Sequence, residues 1–128
     1  MKKFALVCGA SGSIGRSICE ELAQDGWSLY VHYNSGLERI QEMALSLSQR
    51  FSAQEFIPVQ ANFAEVDGAE ILASQLFSLQ AVIFANGHAY TQLLEDTSIA
   101  EMEKLWRVHV QNPMHLLAKV SRKLRANE

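Results

Sequence analysis

An excess of positive charge, long apolar runs and a cysteine framework are all missing from this chain, and each absence removes a class of protein. Acidic residues outnumber basic ones, 14 to 11, for a net charge of −3. No concentrated basic face is therefore available to a phosphate backbone, and nucleic acid is not an expected partner. The one basic cluster, Arg122, Lys123 and Arg125, falls at the end of an expected helix, where cations complement the helix dipole. No apolar stretch nears the roughly 20 residues needed to cross a bilayer, so no membrane partner is expected. The apolar run 4–8 behind Met1, Lys2 and Lys3 is too short for a signal-peptide core, and a cytoplasmic location is expected. Cys8 and Cys19 are the only cysteines; a disulfide is possible on count, but both read as reduced, small core residues.

Proline is as scarce, and each of the two marks a place. Pro58 lacks a ladder donor, which puts its strand at a sheet edge, and Pro113 should kink the last helix near His109. The histidines, at 32, 88, 109 and 115, have no carboxylate or cysteine at metal-ligand spacing, so no metal is expected. Ser11 lies outside any Gly-x-Ser-x-Gly elbow, which leaves a hydrolase without support.

What remains is a regular alternation over one domain, 1–128. Apolar runs at 4–8, 27–33, 56–59 and 81–85 read as strands. Between them lie helix patterns: Ile14, Ile18 and Leu22; then Leu37, Ile40, Ala44, Leu47 and Phe51; then Ala69, Leu72 and Leu76. A long final helix opens at Ser98 with Glu101 three residues on, the spacing of a capping box. Its expected buried stripe is Ile99, Met102, Trp106, His109, Leu117, Val120 and Leu124. Strands alternating with helices predict an α/β Rossmann-type parallel sheet with right-handed crossovers.

The segment from Gly9 to Gly15 joins the first strand to the first helix. Glycines there permit a tight turn and close backbone approach to a pyrophosphate, and the helix N-terminus offers free amides to the anion. Ser11 and Ser13 add hydroxyl donors. A loop of small residues is by itself only a turn, but its place inside a βαβ unit predicts a dinucleotide site. No Lys-Ser or Lys-Thr follows the glycines, which excludes the phosphate loop of nucleoside triphosphatases.

The end of the second strand bears on the cofactor. A free ribose 2′-hydroxyl usually meets an acid there, whereas this chain has Tyr33, Asn34, Ser35 and Gly36, with no acid before Glu38. Asn34 and Ser35 offer neutral donors to a 2′-phosphate, and Arg39 stands within the next turn. NADP(H) is therefore expected in preference to NAD(H), although Asn34-Ser35-Gly36 also has the composition of a plain turn.

The glycine loop, Tyr33-Asn34-Ser35 and Ala85-Asn86-Gly87 together resemble the short-chain dehydrogenase/reductase family, over the first half of a usual member. Cys8–Gly15 is similar to the family's Thr-Gly-x-x-x-Gly-x-Gly loop, with Cys8 for Thr and Ser13 for the middle Gly. The segment 84–87 stands where the family has Asn-Asn-Ala-Gly, and Asn62 where an Asp commonly touches adenine. Reductases of 3-oxoacyl carrier-protein thioesters, and of an aminopentanone-modified lysine of elongation factor P, are both similar. The resemblance implies sheet order 3-2-1-4, cut before a fifth strand. It implies a cofactor site in which Gly9, Ser11, Gly12, Ser13, Ile14 and Gly15 hold the pyrophosphate side. Tyr33, Asn34 and Ser35 would lie at the 2′-phosphate, Asn62 at adenine, and Phe84, Ala85, Asn86 and Gly87 beside a ribose. His88 would lie near the nicotinamide or in an exposed loop.

The implied activity is reduction of a carbonyl substrate by NADPH, with Tyr, Lys and Ser as the proton machinery. His109 occupies the position of the family's Asn, as a catalytic residue or as a hydrogen-bonded core residue. The Ser strand and Tyr-x-x-x-Lys helix would follow Glu128; Tyr30, Tyr33 and Tyr90 have no Lys four residues later. A non-catalytic dinucleotide-binding module is thus the alternative, and a purely structural protein the third reading. Surplus apolar residues on the last helix, among them Leu105, Val110 and Met114, predict a homo-oligomer through that helix.

Overall fold

The computed structural model describes residues 2–87 and 93–125. His88 and Tyr90, singled out above, lie outside them, as does the side chain of Arg125. Four parallel strands, β1 (Phe4–Cys8), β2 (Ser28–Tyr33), β3 (Phe56–Gln60) and β4 (Ala81–Phe84), form one sheet in the order β3-β2-β1-β4. The helices are α1 (Ser13–Gln24), α2 (Leu37–Arg50), α3 (Gly68–Ala73), α4 (Ile99–Trp106) and α5 (Asn112–Arg125). This is the Rossmann-type arrangement expected from the alternation. β1 is covered on both faces, and all five of its residues are buried. Pro58 lies on β3, which pairs with β2 alone, so its missing donor faces no partner strand.

Two apolar layers flank the sheet because successive strand residues face opposite sides. Leu6, Cys8 and Tyr30 join Leu72, Leu116 and Val120 on one side. Ala5, Val7, Leu29 and Val31 meet Cys19, Ile40 and Leu47 on the other. Both cysteines are free and buried, as expected.

Two helix phases differ from the sequence expectation. On α1 the buried residues are Gly15, Cys19 and Ala23, while Ile14 is 69% exposed. The helix lies so near the sheet that only small side chains fit between, and Ile18 and Leu22 pack at the flanks. The final helix is not continuous. A π-helical turn, Arg107–Gln111, separates α4 from α5, and it ends two residues before Pro113. An extra residue in the turn accommodates the ring that would otherwise meet the carbonyl four residues earlier, that of His109. Ile99, Met102, Trp106 and Leu117, expected inside, are exposed; the buried face is Val108, Asn112, Leu116 and Val120. Ser98 does cap α4, its hydroxyl accepting the Glu101 amide at 3.1 Å.

Asn112 is the polar member of that face and is completely buried. Its Nδ2 donates to the carbonyls of Phe63 and Glu65, both at 2.8 Å, and its Oδ1 accepts the Ala69 amide at 3.1 Å. One side chain thus ties the start of α5 to α3 and to the segment between β3 and α3.

Candidate dinucleotide site

The loop after β1 is shaped by two glycines that tolerate no side chain. Gly9 has φ +78°, and a Cβ there would lie 2.7 Å from the Asn86 backbone. A Cβ on Gly15 would lie 2.1 Å from the Gly9 carbonyl oxygen. The loop is therefore pressed against the end of β4 on one side and the first turn of α1 on the other. Gly12 is the N-cap of α1 and supplies no side chain to it, so among the described residues no side chain caps the first-turn amides. No acidic residue stands in that turn to compete with an anion.

Two adjoining hollows open at the carboxyl ends of the strands. The larger, about 340 Å³, is lined by Gly9, Ser11, Gly12, Ser35 and Ala85. The smaller, about 160 Å³, is lined by Asn62, Phe63, Ala64, Lys104 and Val108. His32, Asn34, Asn86 and Gly87 line both. Most of the residues expected at a cofactor are thereby brought together. Ser13, Ile14, Gly15, Tyr33 and Phe84 line neither hollow. Gly15 lies beneath the loop, Ile14 stands exposed at the helix start, and Tyr33 packs on the α1–α2 side of the sheet.

The polar groups of the cleft have distinct states. Asn86 Oδ1 is buried without a hydrogen-bond partner, an acceptor left for a donor not supplied by the described residues. Asn62 Oδ1 accepts the Ala64 amide at 2.9 Å and so shapes its own turn. Arg39 folds back over Gly36, its Nη2 3.1 Å from where a Cβ on that residue would stand. This places a guanidinium beside the turn that carries Asn34 and Ser35. His109, on the π turn, is exposed and faces Gly87, with its Cε1 3.2 Å from an added Cβ. The core placement considered for it is thereby corrected: the widened turn swings the imidazole toward the strand ends.

Two participants were not legible in the sequence. Lys104 enters the smaller hollow from α4, and its place one turn ahead of a π turn has no local signature. His32 lies 3% exposed beneath the loop. Gly9 donates its amide to His32 Nδ1 at 3.0 Å, and His32 Nε2 sits 2.8 Å from the Ala61 carbonyl. Burial pushes its pKa below the usual histidine value, and the Ala61 contact opposes that only in part. Among the described residues no three of His, Cys, Asp and Glu gather as a metal site, and no helix is long and apolar enough to cross a membrane.

A glycine cradle at an uncapped helix, against the carboxyl ends of parallel strands, defines the class of Rossmann-type nucleotide-binding folds. The sequence model of the family described as short chain dehydrogenase matches residues 3–128, and the chain belongs to that family of oxidoreductases. An uncharacterized oxidoreductase, YmfI, from Bacillus subtilis is 37% identical over 91% of this chain and 48% of its own length. A 3-oxoacyl-[acyl-carrier-protein] reductase, FabG, from Staphylococcus aureus is 32% identical over 61% of this chain and 31% of its own. The crystal structure of L-sorbose reductase from Gluconobacter frateurii, complexed with NADPH and L-sorbose, superposes with a TM-score of 0.89 at 21% identity, covering 98% of this chain and 49% of that one. The chain thus spans half or less of the length of these relatives.

Proposed function

We propose that the chain binds NADP(H) across the two hollows and forms the cofactor-binding portion of a carbonyl reductase. The observation that carries this reading is the cradle itself: a loop emptied of side chains at Gly9 and Gly15, facing uncapped amides. The residues fit the cofactor. The pyrophosphate would lie against Gly9–Gly15, the orphaned Asn86 Oδ1 would accept a ribose hydroxyl, and Asn62 would border the adenine. Asn34, Ser35 and the guanidinium of Arg39 would receive a 2′-phosphate, and no carboxylate at the strand end opposes it. Solved relatives bound to NADPH or NADP support the same preference.

When bound, the cofactor supplies hydride to a carbonyl carbon. This chain's residues bind and orient it, and His109 beside Gly87 would hold a proton or a water at its imidazole on the substrate side. The substrate class is a carbonyl compound, with a 3-oxoacyl thioester suggested by the likeness to FabG. No tyrosine here has Lys four residues later, which favours a second reading for the 128 residues alone: binding without turnover. The exposed Met102, Trp106, Met114 and Leu117 would seat a second copy. Two buried thiols suit a reducing compartment such as the cytoplasm.

Fluorescence titration with NADPH and NADH tests the reading. Saturable binding, tighter for NADPH, is expected; no binding of either would overturn it, and tighter NADH binding would overturn the cofactor preference.

A further inference from the structure

His32 is held by two neighbours that can each play only one role. The Gly9 amide can only donate, so Nδ1 carries no proton; the Ala61 carbonyl can only accept, so Nε2 carries one. The ring is therefore neutral and fixed in the Nε2–H tautomer. The backbone repeats the tie: Ala10 donates to the His32 carbonyl at 2.9 Å, and Ala61 to that of Tyr33 at 3.1 Å. Beyond Gly9 the chain of contacts continues, since the Gly9 carbonyl accepts the Gly12 amide at 3.2 Å at the N-cap of α1. One imidazole thus links the ends of three strands to the helix end that faces the larger hollow.

This linkage bears on ligand binding. Gly9 sits at φ +78° with its amide turned inward to the ring. A proton on Nδ1 would set N–H against N–H. Flipping the ring would not help, because the imidazolium donates from both nitrogens. Among the described residues, little nearby would stabilise that cation. Lys104 lines the same cavity from α4 and is itself positive. On the same side of the sheet, the Cys8 thiol of β1 is buried, with a pKa pushed up to about 12, and supplies no anion. Asn34 from the β2 end, Asn62 and Phe63 from the β3 end and Asn86 from the β4 end are uncharged, and the Phe63 ring centroid lies 5.2 Å from that of His32.

We propose that His32 is the positioning residue of the phosphate loop: its neutral imidazole holds the Gly9 amide inward and so sets the dinucleotide-binding form. The affinity part of this proposal rests on the dinucleotide reading above; the hydrogen-bonding part does not.

The experiment therefore has two arms, both on the 128-residue chain. In the first, long-range ¹⁵N–¹H spectra without ligand report the His32 tautomer while Gly9 and Ala10 amides are followed in acid. The Nε2–H form is expected, with both amides shifting together with the ring at a midpoint below 6.5, the ordinary histidine value. An Nδ1–H ring, or loop amides that stay still while His32 titrates, would overturn the proposal.

In the second arm, NADPH affinity is measured from about pH 8 to about pH 5 for wild type, His32→Ala and His32→Asn. His32→Ala should lose about tenfold at the higher pH, and His32→Asn, which keeps one acceptor for Gly9, should recover part of it. Wild type should weaken in acid by a larger factor than His32→Asn. Equal affinities and equal pH profiles in all three would overturn the proposal. If wild type binds no NADPH, the dinucleotide reading fails, and the ligand-free spectra still decide the role of His32. If His32→Ala does not fold, His32→Asn and the spectra decide it.

Discussion

A Cβ on Gly15 would sit 2.1 Å from the carbonyl oxygen of Gly9, so the first turn of α1 and the loop before it are in direct backbone contact. Gly12, three residues earlier, has room for a Cβ, which would meet the same oxygen in ordinary contact at 3.6 Å. The two glycines therefore separate under substitution. Gly15→Ala should displace the loop, lowering both stability and nucleotide affinity. Gly12→Ala should cost only about 1 kcal/mol of stability, because its φ of −79° suits alanine although alanine is a poorer N-cap than glycine. Thermal melts with and without NADPH distinguish these outcomes.

Lys104 lines the smaller hollow from α4, and the Arg39 guanidinium from α2 lies over Gly36, beside the Asn34–Ser35 turn. If the ligand carries a 2′-phosphate, Arg39→Ala should weaken NADPH binding more than NADH binding, by about tenfold in the ratio. Raised salt should narrow the wild-type preference in the same direction. Paired titrations at two ionic strengths check this.

Stability should depend on pH through His32. Its folded pKa lies below the ordinary 6.5, so on acidification the unfolded chain takes the proton first. The contribution is complete above 6.5, falls as pH drops below that value, and is lost once the folded value is passed. The slope from this one proton is at most about 1.4 kcal/mol per pH unit. Urea midpoints across that window should fall in wild type and fall less in His32→Asn.

Neighbouring residues on α5 should differ sharply. Leu116 is fully buried and Leu117 is 40% exposed. Leu116→Ala should cost about 2–5 kcal/mol, and Leu117→Ala about 1 kcal/mol or less. Asn112→Ala should resemble the former, because it strands the Ala69 amide. Denaturant unfolding of the three variants tests the helix phase directly.

Both thiols should resist modification in the folded chain. Burial pushes Cys8 to about 12 and, with some help from the charge of Glu20, Cys19 to about 12 as well. Alkylation at mild alkaline pH should be slow for both and become rapid for two thiols on unfolding.

The strands were legible because the signals behind them are local, whereas their order 3-2-1-4 followed from the family resemblance. Apolar runs of four to six residues, turn glycines and helix periodicity each act within a few neighbours, so β1–β4 fall where the pattern puts them. The helix faces were less so. The pattern Ile14, Ile18, Leu22 favours the larger residues, whereas the space between α1 and the sheet admits only Gly15, Cys19 and Ala23. On the last helix a 3.6-residue count carried across Pro113 cannot register the extra residue of the π turn.

The cradle at Gly9 and Gly15, the missing strand-end acid and the reduced cysteines were thus determined by the sequence, because glycine geometry, charge and thiol chemistry belong to single residues. Only the tertiary structure decided that His32 braces Gly9, that Asn112 staples α5, and that Lys104 and His109 turn toward the cleft. Those relationships join residues 23, 43 and more positions apart, or depend on a helix widening by one residue, and no local preference encodes where such partners meet.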